Sequence, residues 1–270
     1  MKKLILLSLA FLATFAVSCY DTSNDGQFTM VYGIASKKTT FADKTRDPIL
    51  VTFLYKVEPT TNATMPSYPR LYSETFSGDT LIKIDYNYKV SGGDSLVAYR
   101  HTTDGRVIVD SLKLNSSGMA SQVLNKTGAA TPYYIKYDEQ MMRSQVGELA
   151  VASSEGRYVS VNKGGQTVAK YHYTTSPNFI GLQQYTIPGE PYYWATDRFG
   201  AHSAWLLASA EIQEDNKTVI YDFRYTYSTN GFVSSETISR DGTPLIYNEY
   251  TYTQWVIAPS KTVSQSPVAK

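Results

Sequence analysis

From Leu81 onward the chain repeats one small pattern: apolar or aromatic side chains at every second residue, closed off by a glycine-bearing turn. In 81–90, Ile82, Ile84, Tyr86, Tyr88 and Val90 alternate with Lys83, Asp85, Asn87 and Lys89. Successive side chains of a strand point to opposite faces, so this alternation predicts strands with one buried face. The same period fits 106–114, 133–137, 157–161, 168–173, 219–227, 232–238 and 245–252. Between these runs fall Gly92-Gly93-Asp94, Asp104-Gly105, Ser117-Gly118, Gly164-Gly165, Asn230-Gly231 and Asp241-Gly242. Tight hairpins need positive φ at their centre, which glycine and asparagine adopt readily. The expected fold is therefore all-β, an antiparallel meander forming a curved sheet or a β-barrel. A recurring frame supports it: Tyr225-x-Tyr227-x-x-x-Gly231-x-Val233 returns as Tyr99-x-His101-x-x-x-Gly105-x-Val107. No longer period is evident, which argues against a propeller of uniform blades.

Tyrosine is abundant, with 23 copies, and its placement matters more than its number. Tyr86 with Tyr88, Tyr171 with Tyr173, Tyr225 with Tyr227 and Tyr250 with Tyr252 each share one strand face. Such rings either fill the packed face of the sheet, with hydroxyls reaching its edge, or form a ligand-facing aromatic ladder. One stretch breaks the meander. Residues 188–200 form a long aromatic loop, and 201–210 have the composition of one short helix. Long loops concentrate binding residues, so Tyr192, Tyr193, Trp194, Asp197, Arg198 and Trp205 are the candidate ligand contacts. The competing expectation is a structural lid over the core.

The N-terminus carries an export signature. Lys2 and Lys3 precede an apolar run from Leu4 to Val17, too short to span a membrane comfortably, and Ser18-Cys19 follows as a cleavage site. Ala16-Val17-Ser18-Cys19 resembles a lipobox. That resemblance implies a signal peptide over 1–18, lipidation of Cys19, the single cysteine, and a durable acyl anchor. Residues 19–27 read as a tether, 28–258 as a single β-rich domain and 259–270 as a flexible tail rich in small and polar residues. Outer-membrane barrels usually close on a strand with a terminal aromatic, whereas this chain ends in Lys270, so the domain is expected to stand in water. Tyr20 follows the cysteine in place of the aspartate that retains many lipoproteins at the inner membrane, which favours the outer membrane, on its periplasmic or its surface face.

Removing Lys2 and Lys3 with the signal turns the formal charge from +1 to −1. Nucleic-acid binding needs clustered cations and is not expected. His101, His172 and His202 are scattered without a second ligand at metal spacing, so neither metal nor cofactor is expected. No His-Glu-x-x-His, nucleophile elbow or phosphate loop is present, and no catalytic residue is assigned.

Gly200, Ser203 and Leu206 form a Gly-x-x-Ser-x-x-Leu element, and the hairpin pattern Tyr225, Tyr227, Gly231, Phe232, Val233 follows it. Together they resemble a family of secreted, mostly lipidated proteins of Bacteroidota-type bacteria, known as a domain of unknown function with a porin-like fold. The hairpins are also loosely similar to tyrosine-aspartate repeats of secreted toxins. The resemblance implies a fold and an envelope address. The expected role is a lipid-anchored, non-catalytic binding module for a hydrophobic or glycan ligand, the alternative being a structural or interaction subunit of an envelope protein complex.

Overall fold

A computed structural model describes residues 29–44, 46–57, 69–88, 95–125, 133–179, 182 and 199–257. They form sixteen strands: β1 (Thr29–Phe41), β2 (Ile49–Val57), β3 (Pro69–Ser77), β4 (Leu81–Asn87), β5 (Ser95–Thr102), β6 (Val107–Leu114), β7 (Ala120–Asn125) and β8 (Tyr133–Tyr137). After them come β9 (Arg143–Val146), β10 (Leu149–Ser154), β11 (Arg157–Lys163), β12 (Gln166–Pro177), β13 (Trp205–Glu214), β14 (Lys217–Tyr227), β15 (Val233–Arg240) and β16 (Thr243–Ile257). Each strand pairs antiparallel with its sequence neighbours, and β1 pairs with β16, so the meander closes into a barrel. Gly105, Gly118, Gly164, Gly165, Gly231 and Gly242 all sit at positive φ. The turn chemistry expected from the sequence thus sets the hairpins.

Strict alternation of direction sorts the connections between the two barrel ends. Those following odd-numbered strands gather at one end, here the turn end; the others share the opposite, terminal end with Thr29, where β1 begins, and Ile257, where β16 ends. The inner face is apolar. Ile84, Leu96, Ala98, Leu112, Tyr158, Val161, Leu207 and Ala210 reach inward with no exposed surface, so packed side chains fill that part of the lumen and hold no water against it. Each buried leucine or isoleucine contributes about 1.5–3 kcal/mol. The outer wall is mixed: Lys38 pairs with Glu249 at 3.3 Å, Lys83 with Asp85 at 2.9 Å and His172 with Glu211 at 3.1 Å, while Leu54, Tyr134, Val159, Ile220 and Tyr247 stand exposed among them.

The helix expected near 201–210 does not form. Residues 201–204 are irregular, and Trp205 opens β13. From Ser209 the period is two, with Ala210 and Ile212 buried between Ser209, Glu211 and Gln213. A register shift between Leu207 and Ser209 against β12 hides that period beside the Leu206-Leu207 pair. Helical propensity amounts to only tenths of a kcal/mol per residue, and two full ladders with β12 and β14 outweigh it.

The tyrosines mostly fill the packed face. Tyr86, Tyr171 and Tyr250 are buried, and Tyr173, Tyr225 and Tyr252 pack against the core clusters. Several also complete the backbone hydrogen-bond inventory where ladders stop short. β3 pairs with β4 only over Ser73 to Thr75, and the Tyr88 hydroxyl donates to the Leu71 carbonyl beyond that ladder at 2.8 Å. Tyr137 donates likewise to Ala120 at 2.7 Å, and Tyr252 to Val233. Buried carbonyls left unpaired would be destabilising.

Candidate functional site

Besides the Arg100–Asp110 pair of β5 and β6, at 2.8 Å, two places in the barrel depart from an ordinary apolar core. The first is a strap at the terminal end. Phe199 to Ala204 crosses the turns after β8 and β10: Ala201 N–H donates to the Met141 carbonyl at 2.9 Å and Ala204 N–H to the Gly156 carbonyl at 2.9 Å. The Tyr158 hydroxyl reaches up to the Ala201 carbonyl at 3.0 Å. Gly200 lies so close that a Cβ would stand 2.5 Å from the Met141 oxygen and 2.7 Å from the Tyr137 ring. That is why glycine stands there, at φ +84°. Ser203 and Leu206 are both buried, and the Ser203 carbonyl accepts from the Asn178 amide at 3.1 Å. The Gly-x-x-Ser-x-x-Leu element is thus a structural fastening, in line with a lid over the core. His202, beside Arg143, is pushed down to about 4 by burial first and by that guanidinium second.

Of the candidate contacts, Tyr192, Tyr193, Trp194, Asp197 and Arg198 lie outside the described residues, as do Cys19, the signal and tether segments 1–27, and the tail 259–270. Trp205 is described. It is half-buried, with the Arg157 guanidinium 5.0 Å from its ring centre, and its N–H bonds the Ser203 hydroxyl at 3.3 Å. This is a packed cation–π contact at the base of the strap. Nearby, Pro177, Phe179, Leu182, Leu206, Phe232 and Val233 line a shallow, open hollow with about 10 Å³ of room, enough for about one water and far below the roughly 300 Å³ at which ligand pockets begin.

The second place lies inside the wall where the barrel closes. Lys37 on β1 pairs with Val51 on one side and Tyr250 on the other. Two strands away in each direction stand a buried carboxylate: Glu74 on β3, opposite Phe53, and Glu236 on β15, opposite Asn248. The Tyr86 hydroxyl donates to Glu74 at 2.6 Å. Glu236 accepts from the Asn248 amide at 2.8 Å and from the Tyr250 hydroxyl at 2.9 Å, and Thr39 donates to Asn248 at 2.8 Å. Two acids thus flank one amine. Burial drives Glu74 up to about 7, against the pull of the Tyr86 hydroxyl and Lys37; burial also drives Lys37 down, opposed by Glu236 and Glu74. Chemically, the row can hold or release a proton near neutral pH. Sequence reasoning passed over it, although a signal exists: Glu236 and Asn248 occupy positions in step with Ile238, Ile246 and Tyr250, where the alternation calls for apolar residues. Among the described residues no group of three or more His, Cys, Asp or Glu is arranged to hold a metal ion.

No family model matches the sequence, and no curated protein does. Among solved structures, a porin-like protein from Bacteroides uniformis superposes with a TM-score of 0.54 at 14% identity, over 82% of this chain and 96% of that one. The chain has a porin-like fold. The comparison thus supports the resemblance at the level of fold. The porin-like wall of this chain nevertheless differs from that of a water-filled membrane pore, where polar residues face inward and an apolar band faces lipid. Here a largely apolar packed face points in, and exposed pairs such as Lys38–Glu249 and Lys83–Asp85 point out.

Proposed function

We propose that this chain is an exported, lipid-anchored protein of the cell envelope, held at the outer membrane by Cys19, whose barrel stands in water and works non-catalytically as an interaction subunit of an envelope protein complex. The packed interior carries this reading. A lumen filled by Ile84, Leu112, Tyr158 and Leu207 offers a solute no path and leaves the outer surface and the two ends for recognition. Mass spectrometry of the mature N-terminus tests the anchor: a diacylated or triacylated Cys19 is expected, and an unmodified thiol or cleavage elsewhere would remove it. Crosslinking in intact cells tests the role. A stoichiometric protein partner is expected, and recovery of the barrel without one sinks the assignment.

One observation favours a second reading, a binding module for a hydrophobic or glycan ligand: the hollow beside Phe179 and Phe232 adjoins the chain leading into 180–198. On that reading Tyr192→Ala with Trp194→Ala weakens capture of a ligand from envelope extracts, and unchanged capture rejects it.

A further inference from the structure

We propose that one half of the terminal end, built around Met30, Tyr32, Phe179, Phe232 and Val256, rests on the headgroup layer of a phospholipid surface, so that the barrel leans on the membrane by this rim. The inference rests on the lipid anchor proposed above and adds which face meets the bilayer.

The rim is continuous. Phe179 and Leu182 share the hollow with Phe232; Phe232 packs on Tyr32 at 4.9 Å between ring centres and on Tyr252 at 5.3 Å. Tyr32 reaches the Met30 sulfur at 3.9 Å, and Met30 pairs across the ladder with Val256. Phe179 and Val256 are more than half exposed, although packing within the barrel would have favoured turning such side chains inward. The adjoining turn, Ser228 to Phe232, carries no charge. Aromatic and apolar side chains free of charged neighbours suit the interfacial region of a bilayer.

The two alternatives on the same barrel are charged. The other half of the terminal end presents Asp138, Glu139 and Glu155, and the turn end presents Asp79, Asp104, Arg106, Glu214, Asp215 and Arg240. The path of the chain selects among them. Thr29 opens β1 inside the aromatic half, paired with Ile257, and the ten residues from Cys19 to Phe28 span roughly 35 Å at full extension. A lipid on Cys19 therefore holds this half close to the bilayer, and holds the turn end away from it.

The experiment uses the full lipidated protein in phosphatidylethanolamine and phosphatidylcholine vesicles with brominated acyl chains. A fluorophore is placed on single cysteines introduced as Thr229→Cys in the aromatic half, Glu139→Cys in the charged half and Lys217→Cys at the turn end; Cys19 is blocked by its lipid. Loss of most of the Thr229 signal, partial loss at Glu139 and none at Lys217 are expected, and Phe179→Ser with Val256→Ser should restore the Thr229 signal in protein that still floats with the vesicles. Equal quenching at Thr229 and Lys217 in floating protein overturns the inference and leaves the anchor standing. Protein that does not float overturns the anchor, and the inference with it.

Discussion

The barrel interior is built in two ways, and the contrast separates stability from specificity. Through β5 to β13 the inward positions are mostly aliphatic or aromatic side chains packed free of water, among them Leu96, Leu112, Val161 and Leu207, with the Arg100–Asp110 pair at 2.8 Å and buried Arg143 as charged exceptions. Across β15, β16, β1, β2 and β3 the row instead runs Glu236, Asn248 and Tyr250, Lys37, Phe53, Glu74. A one-residue slip turns an apolar face outward and is costly anywhere in the wall, but a two-residue slip sets one apolar residue beside another and is penalised less in the dry wall. A buried acid that loses its donor is penalised more, because an unpaired buried charge costs several kcal/mol. The polar row lies where the two ends of the chain must find each other, and there it discriminates against a wrong closure.

The largest effect expected on this contrast comes from the dry wall. Leu112→Ala should lower unfolding free energy by about 2–5 kcal/mol, whereas Ile238→Ala, on a half-buried position near the seam, should cost about half as much; denaturant titrations compare them, and equal losses would erase the distinction. Next in size is a proton linkage in the seam. Glu74 is raised from 4.5 to about 7, so the folded barrel binds a proton that the unfolded chain has released. The stability it contributes is full below pH 4.5 and is lost as pH rises to 7, an effect of roughly 3 kcal/mol. His202, lowered from 6.5 to about 4, acts in the opposite sense, losing stability as pH falls below 6.5. The measurement is therefore the difference between wild type and Glu74→Gln, which should shrink or reverse as pH rises from 4.5 to 7; a pH-independent difference refutes the linkage.

Smaller again is the strap. Tyr158 bonds the Ala201 carbonyl and takes hydrogen bonds from Arg143 N–H and Nε at 3.3 and 3.2 Å, and Tyr158→Phe should cost about 1–3 kcal/mol by thermal unfolding. The outer wall sets the floor. Glu249→Gln breaks the exposed pair with Lys38 and should change stability by less than about 0.5 kcal/mol; a loss matching that of Tyr158→Phe would mean the wall is less solvated than its exposure implies.

Much of the fold was legible because the barrel is written in period two. The strand at 133–137 matches β8 residue for residue, and 157–161, 219–227 and 245–252 fall within β11, β14 and β16. Legibility failed where the alternation is interrupted. β13 was hidden by adjacent leucines and a register shift, and β3 by the shift between Leu54 and Tyr55 opposite it, which puts Leu71 and Glu74 out of step. Of the two readings open for the Tyr-x-Tyr rings, the packed face holds for most of them, with Tyr227 exposed, but nothing local says which carbonyl a hydroxyl will meet 17 residues away. The seam was missed for a related reason. Lys37, Glu74 and Glu236 are ordinary polar residues along the chain, and only closure brings them onto one wall.

Closure also fixes an order of events. Thr29 pairs with Ile257, so β1, the first strand of the barrel to be made, gains its second neighbour only when β16 closes on it. Until β16 arrives, β1 offers an open edge and an uncompensated lysine to whatever surrounds it. Sequence-distant pairing of this kind is slow, and unpaired edges invite aggregation. A chain that folds this way needs its strands kept apart from other chains until the final one is delivered, which makes the interval before closure the most vulnerable stage in its life.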